Sequence, residues 1–350
     1  MALSNSAEMH EALVMRPPGR MELELRPTIG AGTGEVVLAV IATGICGSDV
    51  HGLTGDTGRR IDGQVMGHET VGRVIHVGDS VDPGWIGRLA TVIPLVGCGA
   101  CGACRASNEQ QCPDLWVLGV RPDVDGAFSS RIVVSERNLV ALPDSMPQWH
   151  GALIEPLAVG YHAAKRGSVG PEDRVMIIGA GPIGQAAALA ARRLGATTIV
   201  VSEPDAGRRA LAEALGFTCA HPDDLAAAMT SWDGAATVAI DAVGASPTLK
   251  RSLELSEPGA RVVLVGMAAP RIEMLAYELS AKERTVIGTF CYSHEHFRET
   301  ALWAAEHPEI VEKLVDRFAP LHSGPEIFAS LINGSLLTNK LLLMPELADV

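Results

Sequence analysis

From Glu35 to about Pro143 short apolar runs alternate with glycine, aspartate and proline. Residues 36–41 (VVLAVI), 71–77 (VGRVIHV), 89–93 and 131–134 have the length and β-branched content of strands and are flanked by turn residues. This portion predicts a β-barrel-like domain. Past Gly151 the pattern changes. The apolar run 175–178 passes through glycines into an alanine-rich helical stretch, 183–194, and the strand-like run 198–201 precedes a helix-like AGRRALAEAL at 206–215. Further strand-like runs follow at 217–220, 238–243, 261–265 and 285–289. Strands alternating with helices imply βαβ crossovers and a parallel sheet, and six such strands make one doubly wound domain.

Beyond Tyr292 a helical stretch at 296–306 and mixed segments remain, too short to fold alone. They are expected to return to the first domain. The expected organisation is therefore α/β with two domains. Residues 1–156 and 290–350 form the β-barrel-like unit, and 157–289 form a doubly wound, Rossmann-type unit.

Composition changes this picture only by exclusion. A chain of 350 residues with 47% apolar content buries substantial cores. Its net charge of −13 leaves no basic face for a nucleic acid. Arg192 and Arg193 interrupt the longest apolar stretch before it reaches membrane-spanning length. Residues 1–11 carry neither a basic cluster nor a cleavable apolar run, so no secretory signal is expected. The seven cysteines are an odd number, and four of them crowd into one short segment, which points to metal in a reducing, cytoplasmic compartment.

That segment holds Cys98, Cys101, Cys104 and Cys112 in the spacing C-x2-C-x2-C-x7-C, with Gly97, Gly99 and Gly102 freeing the backbone. Four thiolates suit a closed tetrahedral zinc site with no position for chemistry. Iron–sulfur ligation is the alternative. A second set is scattered: GICGSDVH (44–51), GHE (67–69) and IEPL (154–157). One thiolate, one imidazole and a carboxylate hold zinc while leaving a position open for substrate.

GAGPIG, from Gly179 through Gly181, Pro182 and Ile183 to Gly184, follows an apolar run and opens a helix. Glycines there permit a tight turn and close approach of backbone to a pyrophosphate. Glu203, 24 positions after Gly179, ends the next strand-like run; an acid there accepts hydrogen bonds from ribose hydroxyls and repels a 2′-phosphate. This favours NAD over NADP, although Arg208 and Arg209 follow closely and arginine pairs a 2′-phosphate.

With GICGSDVH, GHE, the cysteine quartet and ALIEPLAVGYHA (152–163) in this order, the chain resembles the zinc-containing medium-chain dehydrogenase/reductase family over nearly its whole length. The nearest branch is that of sorbitol, butanediol and threonine dehydrogenases. The resemblance implies a GroES-like catalytic domain and two zinc ions per subunit, one catalytic and one structural. It implies Cys46, His68 and a carboxylate as catalytic ligands, and leaves open whether Glu69 or Glu155 ligates. It further implies Asp49 behind His68, a proton relay from Ser48 through a ribose hydroxyl to His51, and nicotinamide and substrate near Val243, Val265, Gly266, Met267, Thr289, Phe290 and Cys291.

The implied reaction passes hydride from a secondary alcohol (a polyol, diol or amino alcohol) to NAD, or back from a ketone. An L-threonine-type or primary alcohol/aldehyde dehydrogenase is the alternative within enzymes, and a non-enzymatic zinc-binding protein is a remoter one. The family suggests a homotetramer, or failing that a dimer, assembled through an edge strand at 285–290. Sorbitol itself is disfavoured as substrate. Gly52 and Cys291 stand where animal sorbitol dehydrogenases have a tyrosine and an arginine that grip polyol hydroxyls. Arg59 and Arg60, near the expected cleft mouth, are expected to be a solvated loop pair, with the grip of a carboxylate or phosphate as the alternative.

Overall fold

The computed structural model describes residues 8–345 except 18, 56, 57 and 59; Arg59 therefore lies outside the described residues. The chain divides into two compact units, Met1–Glu155 with Phe297–Val350, and Pro156–His296.

The first unit is built on a mixed sheet. Its strands run in the order Arg317–Pro320, Leu341–Met344, Glu35–Gly44, Glu69–Val77, Leu89–Val92 and Leu139–Ala141, and Arg131–Ser135 also pairs with Glu35–Gly44. In the C-terminal segment, Leu341–Met344 pairs antiparallel with Glu35–Gly44. A hairpin missing from the sequence reading, Met9–Arg16 with Arg20–Pro27, forms a separate antiparallel pair. Its signal was the strict alternation of MELELR, which puts one face of the second strand toward apolar neighbours.

Among the described residues, two apolar clusters pack in this unit. One gathers Leu13, Met66, Phe128, Phe328 and Leu343, with the Phe128 and Phe328 rings edge to face at 5.4 Å. The other gathers Val36, Leu38, Val74, Val92 and Ile132 from facing strands. Burying each such side chain contributes about 1.5–3 kcal/mol, which is what specifies the register.

The second unit is a six-stranded parallel sheet. Its order is Thr218–Ala220, Thr198–Ser202, Arg174–Ile178, Ala236–Asp241, Ser256–Leu264 and Thr285–Gly288. In order of appearance these strands lie 3-2-1-4-5-6, the doubly wound arrangement with its reversal beside the first strand. Central strands such as Arg174–Ile178 read as continuous apolar runs because both faces are covered; Met176, Val200, Ala239 and Val262 belong to one core with Leu249 and Leu253. No helix among the described residues is long and apolar enough to cross a membrane.

Candidate active site and metal centres

Strand register assembles the first site. Gly44 pairs with Glu69 and also with Leu342. Cys46 lies two residues beyond Gly44, His68 one residue before Glu69, and Lys340 two before Leu342. Three distant segments therefore deliver a thiol, an imidazole, a carboxylate and an ammonium to one spot. One donor atom from each of Cys46, His68 and Glu69 lies within 4.8 Å of the others.

Gly44 is needed for this arrangement. A Cβ there would stand 2.1 Å from Glu69 Oε2, so only glycine lets the Glu69 side chain lie across the strand. Glu69 is then gripped by Lys340, whose Nζ donates to both carboxylate oxygens, at 2.8 and 2.7 Å, and to the Ile45 carbonyl at 3.2 Å. Burial opposes the charge on Lys340, but Glu69, Cys46 and Glu155 around it raise its pKa above the ordinary lysine value. Sequence reasoning missed Lys340, since a lone lysine near the end of the chain carries no spacing signal.

Cys46 opens the short helix Gly47–Leu53, and Asp49 reaches back so that Oδ2 accepts the Cys46 N–H at 3.1 Å. The other oxygen, Oδ1, lies 3.5 Å from His68 Nδ1. Asp49 is fully buried. Burial pushes its pKa up, yet His68, Arg60 and the Cys46 N–H together hold it below the ordinary aspartate value. For His68 burial acts the opposite way, and Asp49 and Cys46 override it to raise the pKa well above the usual histidine value. Ser48 and His51 are exposed, three residues apart on the same helix face.

Arg60 corrects the expectation of a solvated arginine. Its side chain is 3% exposed, with Nη2 3.8 Å from Asp49 Oδ1 and Nη1 donating to the Val120 carbonyl at 3.2 Å. Glu155 is buried at the start of the Ile154–Arg166 helix, outside the close donor group but near enough to act on Lys340.

The donor set fits a divalent metal. Cys46, Asp49, Glu69 and Glu155 are four acids sharing this region with two buried cations, Lys340 and Arg60. A thiol, an imidazole and a carboxylate with donor atoms within 4.8 Å of one another make a zinc-type ligand set.

In the quartet, donor atoms of Cys98, Cys101, Cys104 and Cys112 also lie within 4.8 Å of one another. Backbone amides turn inward onto sulfur: Cys98 N to Cys112 Sγ at 3.3 Å, Cys101 N to Cys98 Sγ at 3.3 Å and Cys104 N to Cys101 Sγ at 3.4 Å. The N–H groups of Ala100 and Cys101 lower the Cys98 pKa to about 6. Burial, with the neighbouring sulfurs, raises Cys104 to about 12. A Cβ at Gly97 would come within 2.8 Å of Cys104 Sγ, so glycine keeps that space for sulfur. Four sulfurs this close suit a tetrahedral zinc.

In the second unit Gly179 takes φ +95°, and a Cβ at Gly184 would lie 1.8 Å from the Gly179 carbonyl oxygen. These two glycines make the turn. Gly181 differs, because a Cβ there would meet nothing within 4 Å. It leaves the start of the Pro182–Arg193 helix open to an anion. Glu203 lies beside this loop. Its Oε2 accepts the Ala180 N–H at 2.8 Å and its Oε1 the Asp205 N–H at 3.0 Å. Arg208 is exposed, whereas the Arg209 guanidinium is tied to the Glu203 and Pro204 carbonyls.

Val243, Val265, Gly266 and Met267 follow the C-terminal ends of two central strands. Asp241 organises them by accepting the Val243 and Gly244 N–H groups, each at 2.9 Å. Thr289 and Phe290 follow the outermost strand, with Thr289 N donating to the Leu264 carbonyl.

A β-domain carrying the Cys–His–carboxylate group, and a doubly wound sheet with its glycine turn at the first crossover, define a two-domain oxidoreductase of GroES-like plus Rossmann type. Residues 32–144 match the family model of the alcohol dehydrogenase GroES-like domain, and residues 182–306 that of zinc-binding dehydrogenases. The chain belongs to the zinc-containing medium-chain alcohol dehydrogenase family, in the branch of the sorbitol dehydrogenases, and is an enzyme. It is 34% identical to the 2-dehydro-3-deoxy-L-galactonate 5-dehydrogenase of Pseudoalteromonas atlantica, over 79% of this chain and 81% of that one. It is 33% identical to a sorbitol dehydrogenase of Bacillus subtilis, over 82% and 83% of the two chains. A zinc-binding dehydrogenase of Sinorhizobium meliloti 1021, solved bound to NADP, superposes with a TM-score of 0.88 at 27% identity, covering 97% of this chain and 100% of that one. Membership sets aside the non-enzymatic reading.

Proposed function

We propose that the protein oxidises a secondary alcohol carried by a polyol, diol or hydroxy acid, with NAD as hydride acceptor, and catalyses the reverse reduction of the ketone. The observation that carries this is the Cys46–His68–Glu69 group, its imidazole and carboxylate buried, set beside Lys340 and Glu155 in one unit, together with the open glycine turn at Gly181 in the other. Two of the relatives reported above are a dehydrogenase of a sugar acid and a dehydrogenase of a polyol.

In this reading Cys46, His68 and a carboxylate from Glu69 or Glu155 hold the catalytic zinc, and Cys98, Cys101, Cys104 and Cys112 hold a structural one. Bound zinc supplies Lewis acidity that brings a hydroxyl group toward ionisation near neutral pH. Asp49 fixes the ring of His68. Ser48 takes the proton from the substrate hydroxyl and passes it along a ribose hydroxyl to exposed His51, one turn on, which delivers it to solvent. Gly179, Gly181, Pro182, Ile183 and Gly184 receive the pyrophosphate. Glu203 supports NAD over NADP, because a carboxylate beside the ribose repels a 2′-phosphate; Arg208 is the exposed basic neighbour. Val243, Val265, Gly266, Met267, Thr289 and Phe290 line the nicotinamide.

The protein is further proposed to be a cytoplasmic homotetramer. Seven cysteines free of disulfides support a reducing compartment. The position of Thr285–Gly288 as outermost strand supports sheet extension between copies.

The test is zinc-replete protein assayed against polyols, vicinal diols, aldonic acids, L-threonine and simple primary alcohols, each with NAD and NADP. Turnover concentrated on secondary hydroxyls with NAD supports the reading. No reduction of either nucleotide by any of them overturns it.

A further inference from the structure

We infer that Arg60 is a positioning residue for the catalytic metal, acting through Asp49. This rests on the reading above that Cys46 and His68 hold zinc.

Three observations place it there. Arg60 buries its side chain although nearby Gly58 and Ile61 are exposed, and burying a guanidinium is costly unless something compensates it. Its compensation is Asp49, 0% exposed, whose Oδ1 lies 3.8 Å from Arg60 Nη2 and 3.5 Å from His68 Nδ1. A second anchor is the Val120 carbonyl, which accepts from the other terminal nitrogen, Nη1, at 3.2 Å. The third observation is steric. A Cβ at Gly52 would lie 3.0 Å from both Cγ and Nε of Arg60. The arginine stem therefore fills the space that a side chain at position 52 would need. A bulky residue there and Arg60 in this place exclude one another.

The resulting chain runs Val120 carbonyl, Arg60, Asp49, His68. Asp49 has two oxygens with separate tasks, Oδ2 on the Cys46 N–H and Oδ1 toward the ring of His68. A carboxylate held from one side only can swing about its bond to Cβ. Arg60 Nη2, 3.8 Å from the same oxygen that faces the ring, restrains that swing and so fixes the direction in which His68 presents its other nitrogen. Partners behind a metal ligand typically contribute about 10- to 100-fold to metal affinity.

The experiment is competition for zinc between the full-length protein and a chromophoric chelator, for wild type, Arg60→Met and Arg60→Lys. The quartet site serves as an internal reference. Arg60→Met is expected to weaken the Cys46–His68 site about 10- to 100-fold and leave the quartet unchanged, with Arg60→Lys recovering most of the loss. Should Arg60→Met fail to fold, Arg60→Gln keeps a donor for the Val120 carbonyl without the charge and carries the same expectation. Unchanged affinity at both sites in a folded variant overturns the inference, as does an equal loss at both. If wild type itself binds zinc only at the quartet, it is the functional reading that fails.

Discussion

Lys340 Nζ stands 2.8 and 2.7 Å from the two carboxylate oxygens of Glu69, an ion pair joining residues 271 positions apart, with 3% and 1% of the side chains exposed. Breaking one partner of such a pair leaves an uncompensated buried charge, at a cost of about 3–5 kcal/mol. Lys340→Met is expected to lower unfolding stability by that amount in urea titrations. Adding Glu69→Gln to it should recover a large part. An unchanged midpoint for Lys340→Met would show that the pair bears no such load.

The glycine turn separates folding from binding. Gly184→Ala drives a Cβ into the Gly179 carbonyl, so it should lower the melting temperature and abolish nucleotide binding. Gly181→Ala meets no atom of the chain within 4 Å, so it should melt like wild type yet bind NADH more weakly in fluorescence titrations. Equal melting temperatures for the two variants would contradict this division.

Sequence patterning made some of this legible and left the rest dark, for physical reasons. Cys46, His68 and the glycines of GAGPIG announce themselves because metal and phosphate geometry demand fixed residue types at short spacing. The sheet of the second unit was readable since buried parallel strands are continuous apolar runs, as in VMII before Gly179. Lys340 was invisible, and Arg60 was noticed but not placed against Asp49. Long charged side chains reach their partners through tertiary register, and nothing local distinguishes them from solvated ones. Glu203 was found, but its bonds to the Ala180 and Asp205 amides needed coordinates.

The quartet is expected to matter for stability. Cys98→Ser removes a ligand from a closed site whose sulfurs otherwise crowd within 4.8 Å. It should lower thermal stability and the zinc content, while the fraction still folded turns over at a near wild-type rate. Loss of turnover without loss of stability would argue against a structural role.

His150 sets a pH dependence. It is 1% exposed, neither ring nitrogen has a hydrogen-bond partner among the described residues, and burial lowers its pKa to about 4. Unfolded, it titrates near about 6.5. Between these values the unfolded chain takes up a proton that the folded chain does not, so stability falls as pH drops from about 6.5 to about 4. His150→Leu should flatten that part of the stability curve. An equal slope in wild type and variant, from denaturation at several pH values, would contradict it.

Metal analysis of purified, zinc-replete protein tests the central claim most directly. Wild type should carry two zinc ions per chain, and Cys46→Ser one, with NADH binding retained and turnover lost. A single zinc in wild type, or two with full turnover in Cys46→Ser, would contradict a catalytic metal held by Cys46 and His68.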